Sequence, residues 1–293
     1  MKTWFKSGSP WVWMTAGAVS ISLLSVIGLL LLIASRGLSY FWPSSITQFD
    51  IEMASGESKT IIGEIYDREF VPTQQLIESG ITFDQVQGEE VERLLIKTGN
   101  REYVDLDFQW LLSPSIIAQT TPSGLAVFER SKNGNFYGFV DSVVKNGEVI
   151  TDNKEELLYQ LIDRAVELNG KALDLQNDEI GKINYELEQL RLTQRRLELK
   201  NNLTAEKLEQ LKTRKDELNT AYQVHEKQLF TYRNQAKRDS VIVKDMRGEL
   251  VTLPLNYVLD VAFPNDMGFL AKVARYGKQI GKFIVDDPRE ANT

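Results

Sequence analysis

The sequence predicts an α+β protein with one N-terminal transmembrane helix, a small β-rich extracytoplasmic domain, and an antiparallel coiled-coil hairpin inserted into that domain. Three features of the chain predict it. A charge-free apolar run lies near the N-terminus, short alternating segments lie between turn residues, and a long charged stretch carries a heptad repeat. The 293 residues are enough for one to three domains.

The apolar run is residues 7–35, 29 residues without a formal charge, and the transmembrane helix is predicted at residues 11–36. A helix of this length crosses a hydrocarbon layer of ~30 Å. Aromatic residues lie near both ends of the run, as in interfacial anchors: Trp4, Phe5, Trp11, Trp13, Tyr40, Phe41 and Trp42. A cleaved signal peptide would have a shorter apolar region, and a buried core helix is rarely so free of charge.

The basic residues beside the run predict its orientation. Lys2 and Lys6 precede it, and only Arg36 follows it closely. This bias favours a cytoplasmic N-terminus, residues 1–10, and a periplasmic location for everything after about residue 40, with the helix in a bacterial inner membrane. The first predicted partner is therefore the lipid bilayer.

Composition excludes several classes of function. Residues 1–36 carry a net charge of +3 and residues 37–293 carry −10, which argues against nucleic acid as a partner. Cys is absent and His225 is the only histidine, so thiolate metal sites, cysteine nucleophiles and histidine-rich zinc sites are excluded. His225 is predicted to be a packed residue of the coil. We predict no catalytic, cofactor-binding or metal-binding residue, no cofactor and no enzymatic activity.

Residues 44–150 predict the β-rich domain. Asn133-Gly134 and Asn146-Gly147 are hairpin turn signals. A short helix is predicted at residues 72–80, with Pro near its start and Gly at its end. The strands are predicted at residues 46–53, 60–66, 91–97, 103–112, 125–130 and 136–144.

Residues 152–238 contain no proline and have nearly balanced charges, and they predict the coiled coil. Asp152 with Glu155 resembles a capping box at its start. From Ile180 onward, twelve of seventeen a and d positions are apolar or aromatic. The upstream stripe is one residue out of register, so the pattern must drift or break near residues 177–181. The apolar positions are Ile180, Ile183, Leu187, Leu190, Leu197, Leu208, Leu211, Leu218, Tyr222, Leu229, Tyr232 and Ala236.

A turn near Asn201 would fold this stretch into a hairpin, with Thr204 capping the second helix. A straight parallel dimer, with Asn201 as a buried polar residue, is the alternative. The hairpin is favoured because strand-like sequence resumes afterwards. Residues 240–262 are expected to return to the β domain as strands.

The C-terminal part predicts a basic amphipathic helix at residues 265–285, followed by a polar end at residues 286–293. Apolar residues recur there at helical spacing, with Lys272, Arg275, Lys278 and Lys282 on other faces. Such a helix lies either in a membrane interface or on the surface of a domain.

Several stretches together resemble the long form of PstA, the permease subunit of bacterial phosphate ABC transporters. They are residues 1–20 and 27–34, Gly99-Asn100-Arg101 before a strand, Phe108-Gln109-Trp110, the long charged coil, and the closing residues 283–293. The resemblance covers essentially the whole chain but only the non-core part of that family. No functional residue of that family can be assigned to a position of this chain from the resemblance.

The resemblance implies a membrane component of a phosphate import system, with a second permease subunit, an ATPase dimer and a periplasmic phosphate-binding protein as partners. It also implies that the transport core would lie beyond Thr293, so that this part would not transport phosphate alone. The alternative is a single-span, membrane-anchored periplasmic adaptor or structural coiled-coil protein. A typical adaptor has two lipoyl-like half motifs beside its hairpin, and residues 145–151 and 240–253 do not supply a convincing pair.

Overall fold

The computed structural model describes residues 8–53, 56–78, 88–104 and 106–285. The chain divides into two compact units: the first contains residues 8–44 and 267–285, and the second contains residues 45–266. The strands are β1 (Ile46–Glu52), β2 (Ser58–Pro72), β3 (Glu90–Lys97), β4 (Phe108–Leu112), β5 (Ile116–Thr120), β6 (Leu125–Arg130), β7 (Phe136–Lys145), β8 (Glu148–Ile150), β9 (Ser240–Lys244), β10 (Leu250–Pro254) and β11 (Val258–Ala262). The α-helices are α1 (Ser9–Ser39), α2 (Thr73–Glu78), α3 (Lys154–Asp174), α4 (Gly181–Leu199), α5 (Ala205–Ala236) and α6 (Phe269–Val285).

The second unit contains two antiparallel sheets, which we call sheet A and sheet B. Sheet A has the strand order β4-β3-β2-β1-β5 and is formed by a local part of the chain. Sheet B has the order β10-β9-β7-β6-β11, with β8 paired to β7. The strands after α5 therefore return to sheet B only, because β9 pairs with β7 and β11 pairs with β6.

The main core lies between sheet B and the first part of α3. One face of α3 carries apolar residues at helical spacing, and all three are buried against the sheet: Leu158, Leu161 and Ile162. Phe128 and Phe136 contribute the largest side chains from the strands of sheet B. The three helices α3, α4 and α5, which we call the helical region, are thus attached to sheet B through an apolar interface.

A second cluster joins the two sheets. Ile46 and Ile62 of sheet A pack with Leu125, Tyr137 and Met246 of the part of the chain that builds sheet B. All five residues are buried, and Tyr137 has no exposed surface. This cluster makes the two sheets one packed body.

A π-helical segment, Leu175–Ile180, connects α3 to α4. A π-turn accommodates one residue more than an α-helical turn, so the face that a helix buries is shifted by one residue across it. Ala172 before the segment and Ile180 at its end both pack with Leu229 of α5. The one-residue shift expected near residues 177–181 is thus taken up by this π-turn.

Residues 200–204 separate α4 from α5. Asn201 adopts a positive φ of 53°, a conformation that asparagine tolerates better than most residues. The side-chain oxygen of Thr204 accepts a hydrogen bond from the Lys207 N–H at 3.3 Å, so the predicted cap of the second helix is confirmed.

Both hairpins predicted from the Asn-Gly pairs are confirmed. Asn146 and Gly147 are the two central residues between the paired Lys145 and Glu148, and their φ values of 53° and 87° are what a type I′ turn needs. Asn133 and Gly134 also have positive φ values, 62° and 67°, but they lie within the longer connection of residues 131–135 between β6 and β7.

Three local predictions were wrong or lie partly outside the described residues. Tyr103 is not in a strand, because its N–H and that of Val104 donate to the Asn100 carbonyl at 2.8 and 2.9 Å and form a turn. Asp152 does not cap α3; the helix is preceded by Asn153 and has no side-chain cap. Of the helix predicted at residues 72–80, α2 covers Thr73–Glu78, and residues 79–80 lie outside the described residues.

Candidate membrane anchor and interaction surfaces

The first candidate surface is α1. Its segment Trp11–Ser39 is long and apolar enough to cross a membrane, and no other helix in the described residues meets that criterion. Its large apolar side chains are exposed, including Trp13 at 74% and Leu24 at 68%. Monomeric soluble proteins rarely expose a contiguous apolar surface of this size, so this surface is suited to lipid.

Two aromatic residues that follow α1 meet α6. Trp42 contacts two rings of α6, with ring centroids 6.2 Å from Phe269 and 5.6 Å from Tyr276. Phe41 lies 5.1 Å from Phe283. The residues expected to anchor the end of a transmembrane helix at the interface therefore also hold α6.

α6 is amphipathic in the way that its sequence predicts. Its charged side chains are all basic: Lys272, Arg275, Lys278 and Lys282. Leu270, Ile284 and Val285 are the most exposed apolar side chains in the helix, at 81%, 75% and 82%. The helix thus presents a basic arc and an exposed apolar arc.

The second candidate surface is the helical region, which is held to sheet B by a polar cluster at its base. Asp239, at 3% exposure, is the centre of this cluster. Its carboxylate accepts hydrogen bonds from Arg164 of α3 at 2.8 Å, from Arg238 at 3.0 and 3.1 Å, and from the N–H of Asn146 at 3.0 Å. One buried side chain therefore ties α3, the end of α5 and the β7–β8 turn together.

The charge of Asp239 is stabilised by these contacts. Burial alone would raise the pKa of its carboxyl group, but the hydrogen bonds from Arg238 and Asn146 and the charges of the two arginines outweigh it and lower the pKa below its ordinary value. Asp239 is therefore ionised and fully paired at neutral pH. It is a structural residue, and sequence analysis missed it because its partners are 93 and 75 residues away in the chain.

The third candidate surface is an aromatic patch on sheet A. Tyr66 and Phe108 have ring centroids 5.2 Å apart, and Arg93 lies over the Trp110 ring at 4.3 Å. Tyr66, Phe108 and Trp110 are 60%, 42% and 40% exposed. Aromatic and arginine side chains are enriched at protein–protein contacts, and β4 is the edge strand of its sheet.

The residues that carry the resemblance have distinct positions. Asn100 is buried at the junction of the two sheets, and Phe108 and Trp110 belong to the aromatic patch. Gly99 has a φ of 54°, and a Cβ atom there would lie 2.5 Å from the Asn135 carbonyl oxygen, so only glycine fits. Residues 1–7 and 286–293, including most of the closing stretch, lie outside the described residues.

The single histidine lies in α5. Its Nδ1 atom is buried and has no hydrogen-bond partner within the described part of the chain. His225 is flanked on the same face by Tyr222 and Leu229, which lie against α3 and the π-turn. In the described residues, no group of three His, Asp or Glu side chains is placed to hold a metal ion.

Comparisons of the chain with protein-family models, with curated proteins and with solved structures found no match.

Proposed function

We propose that this chain is the membrane-anchored part of a phosphate-import permease, in which α1 spans the bacterial inner membrane and residues 45–266 form a periplasmic scaffold that contacts partner proteins. The observation that carries the anchor is α1 itself, whose apolar side chains are exposed over its whole length. The phosphate system is supported by the resemblance described above. The proposal includes no catalytic step.

A scaffold role fits the charge of the outer part better than phosphate capture does. Residues 37–293 carry a net charge of −10, which would repel phosphate at long range. One transmembrane helix also cannot enclose a polar pathway for a hydrated anion, which needs a bundle. The expected partners are a second permease subunit, an ATPase dimer and a periplasmic phosphate-binding protein.

We also propose that α3, α4 and α5 form an antiparallel coiled-coil hairpin. Two contacts and one buried side chain support it. Glu186 of α4 pairs with Arg214 of α5 at 2.7 Å, and the apolar residues Ile180 and Leu229 pack together. Leu218, at 5% exposure, occupies a predicted seam position. This arm would extend the surface available to partner proteins in the periplasm.

Topology is tested with single cysteines, because the chain has none of its own. Asn202→Cys near the tip of the arm should react with a membrane-impermeant maleimide in intact spheroplasts. The control Thr3→Cys should react only after the membrane is permeabilised. The reverse pattern would contradict the proposed orientation.

The phosphate assignment is tested by complementation of a strain that lacks the permease subunit. Residues 1–293 alone should not restore growth on limiting phosphate, whereas the natural reading frame that encodes them, taken to its stop codon, should. Rescue by residues 1–293 would contradict the proposal that this part does not transport.

The second candidate function is a periplasmic adaptor anchored by one helix. The long helical region inserted between β8 and β9 favours it, because such arms reach distant partners. If the topology is as proposed and the natural reading frame does not restore phosphate-limited growth, the adaptor function is the better explanation.

A further inference from the structure

The basic and apolar residues of α6 separate into two arcs. At 100° per residue, Leu270, Val273, Ile280 and Ile284 fall on one side of the helix, and the four basic residues fall on the opposite side. No acidic residue interrupts the segment between Asp266 and Asp286. A basic arc of this kind is complementary to an anionic surface.

The apolar arc is only partly covered. Tyr276 and Phe269, at one edge of the apolar arc, contact Trp42. Trp42 follows α1 in the chain by three residues. Away from that edge, Leu270 and Ile284 remain 81% and 75% exposed. The exposed arc is therefore continuous with the end of the helix proposed to cross the membrane. Because Trp42 belongs at the level of the lipid headgroups, α6 is held at that level too.

We propose that α6 is an interfacial helix that binds the anionic phospholipid surface. Its apolar arc lies among the upper acyl chains, and Lys272, Arg275, Lys278 and Lys282 lie close to the lipid phosphates. This inference rests on the anchor in the proposed function and not on phosphate import. Four basic residues without an acidic one favour an anionic bilayer over a packed protein helix as the occupant of this surface.

The experiment uses the full chain in nanodiscs with single cysteines that carry an environment-sensitive fluorophore. Gly277 lies four residues after Val273 on the apolar arc, and Ala271 lies four residues before Arg275 on the basic arc. Both residues are exposed, so Gly277→Cys and Ala271→Cys form a matched pair. Quenching by acrylamide from water and by doxyl-labelled phosphatidylcholine from the bilayer is measured in neutral discs and in discs containing phosphatidylglycerol.

In anionic discs, the label at residue 277 should be protected from acrylamide and quenched by the doxyl lipid, while the label at residue 271 should not. In neutral discs this protection should be weaker. Lys278→Glu with Lys282→Glu should reduce the ratio of protected to accessible label in anionic discs by about fivefold per basic residue removed. The same reversal at the exposed Lys207 and Lys212 of α5 should leave it unchanged.

Two results would overturn the inference. Equal acrylamide access at residues 271 and 277 in both discs would mean that α6 does not lie in the interface. Equal protection of residue 277 in neutral and anionic discs would mean that the surface is not selective for anionic lipid. A label at Gly28→Cys tests separately whether α1 lies in the bilayer. If acrylamide reaches residue 28, the anchor in the proposed function is contradicted, and not only the inference about α6.

Discussion

The side chain of Asn100 pairs with both backbone polar groups of Tyr137. Its amide nitrogen donates to the Tyr137 carbonyl at 3.0 Å, and its amide oxygen accepts from the Tyr137 N–H at 2.7 Å. Asn100 also donates its own N–H to the Asn135 carbonyl at 3.0 Å. A residue that follows β3 of sheet A thereby acts as an extra pairing partner for β7 of sheet B. The Tyr137 hydroxyl group extends the connection by donating to Glu64 of β2 at 2.8 Å.

Asn100→Ala should therefore destabilise the second unit strongly. The substitution removes both hydrogen bonds that Asn100 makes to the buried backbone of Tyr137, and each such loss costs about 1–3 kcal/mol. It also places alanine at a φ of 54°, which costs about 1–2 kcal/mol more. The measurement is the thermal unfolding midpoint of the full chain in detergent, which should fall by about 2–4 °C per kcal/mol.

Asn100→Gly separates the two effects. Glycine accepts the positive φ without strain but makes no side-chain hydrogen bond. Its midpoint should lie between those of the wild type and of Asn100→Ala. If both variants melt at the wild-type temperature, the paired amide does not stabilise the junction.

Asp239→Asn should loosen the base of the helical region. The substitution removes the negative charge that pairs with Arg164 and Arg238, and because both arginines are about one-third exposed, we expect a loss of about 1–3 kcal/mol at neutral pH. Unfolding of the full chain in detergent by urea measures this difference. Asp178→Asn, at an exposed aspartate in the π-turn, is the control and should be close to neutral.

The effect of Asp239 should also depend on pH. Its pKa is lowered in the folded state, so between the folded value and the unfolded value of about 3.9 the unfolded chain binds more protons. The stabilisation is therefore fully present above pH ~4 and is lost as the pH falls through the folded value. The stability difference between wild type and Asp239→Asn should shrink below pH ~4. A difference that stays constant down to low pH would contradict the paired carboxylate.

The proposed hairpin predicts cross-links within one chain. Leu190 and Leu218 are seam positions 14 residues before and 14 residues after Thr204, so Leu190→Cys with Leu218→Cys should form an intramolecular disulfide under oxidation. Electrophoresis without reductant distinguishes the monomer from a cross-linked dimer. Only dimeric products would indicate the parallel coil that the sequence left open.

The seam of this hairpin should not tolerate charge. Leu187→Asp places a carboxylate at a half-buried seam position, and a charge without a partner costs about 2–5 kcal/mol in a seam. Leu192→Asp, on the exposed side of the same helix, is the matched control. Helix content by circular dichroism should fall for the first variant and remain for the second. Equal loss in both would mean that helix propensity, rather than packing, explains the change.

Local sequence signals predicted those parts of the fold that depend on neighbouring residues. Asn146-Gly147 predicts its hairpin because a two-residue turn needs positive φ at adjacent positions, and Thr204 predicts its cap because the hydrogen bond spans three residues. Tyr103 was placed wrongly in a strand. Its alternating neighbourhood favours a strand, but the Asn100 carbonyl holds residues 100–104 in a turn.

Long-range contacts explain what the sequence did not predict. The Asp239 cluster joins residues that are far apart in the chain, and no spacing rule connects them. The aromatic patch on sheet A depends on the register of β3 with β4, which places Leu95 opposite Trp110 and Lys97 opposite Phe108. The basic amphipathic helix was predicted, because its pattern lies within one segment, but its contact with Trp42 was not.

The last prediction concerns the π-turn between α3 and α4. Upstream of it the buried positions include Leu168 and Ala172, and downstream they include Ile180 and Ile183. The eight-residue step from Ala172 to Ile180 is one longer than a heptad, and the π-turn takes up the extra residue. Deleting Asn177 from the turn should therefore give a continuous α-helix with both seams in one register, and the unfolding midpoint should not fall.

The matched control is deletion of Gln189, an exposed residue of α4. That deletion would rotate every later residue of α4 by about 100° and turn the seam positions after residue 189 away from α5. Thermal unfolding followed by circular dichroism compares the two deletions, and only the second should lower the midpoint. An equal fall of the midpoint in both variants would contradict the prediction. It would mean that α3 and α4 need the extra residue of the π-turn in order to pack against α5.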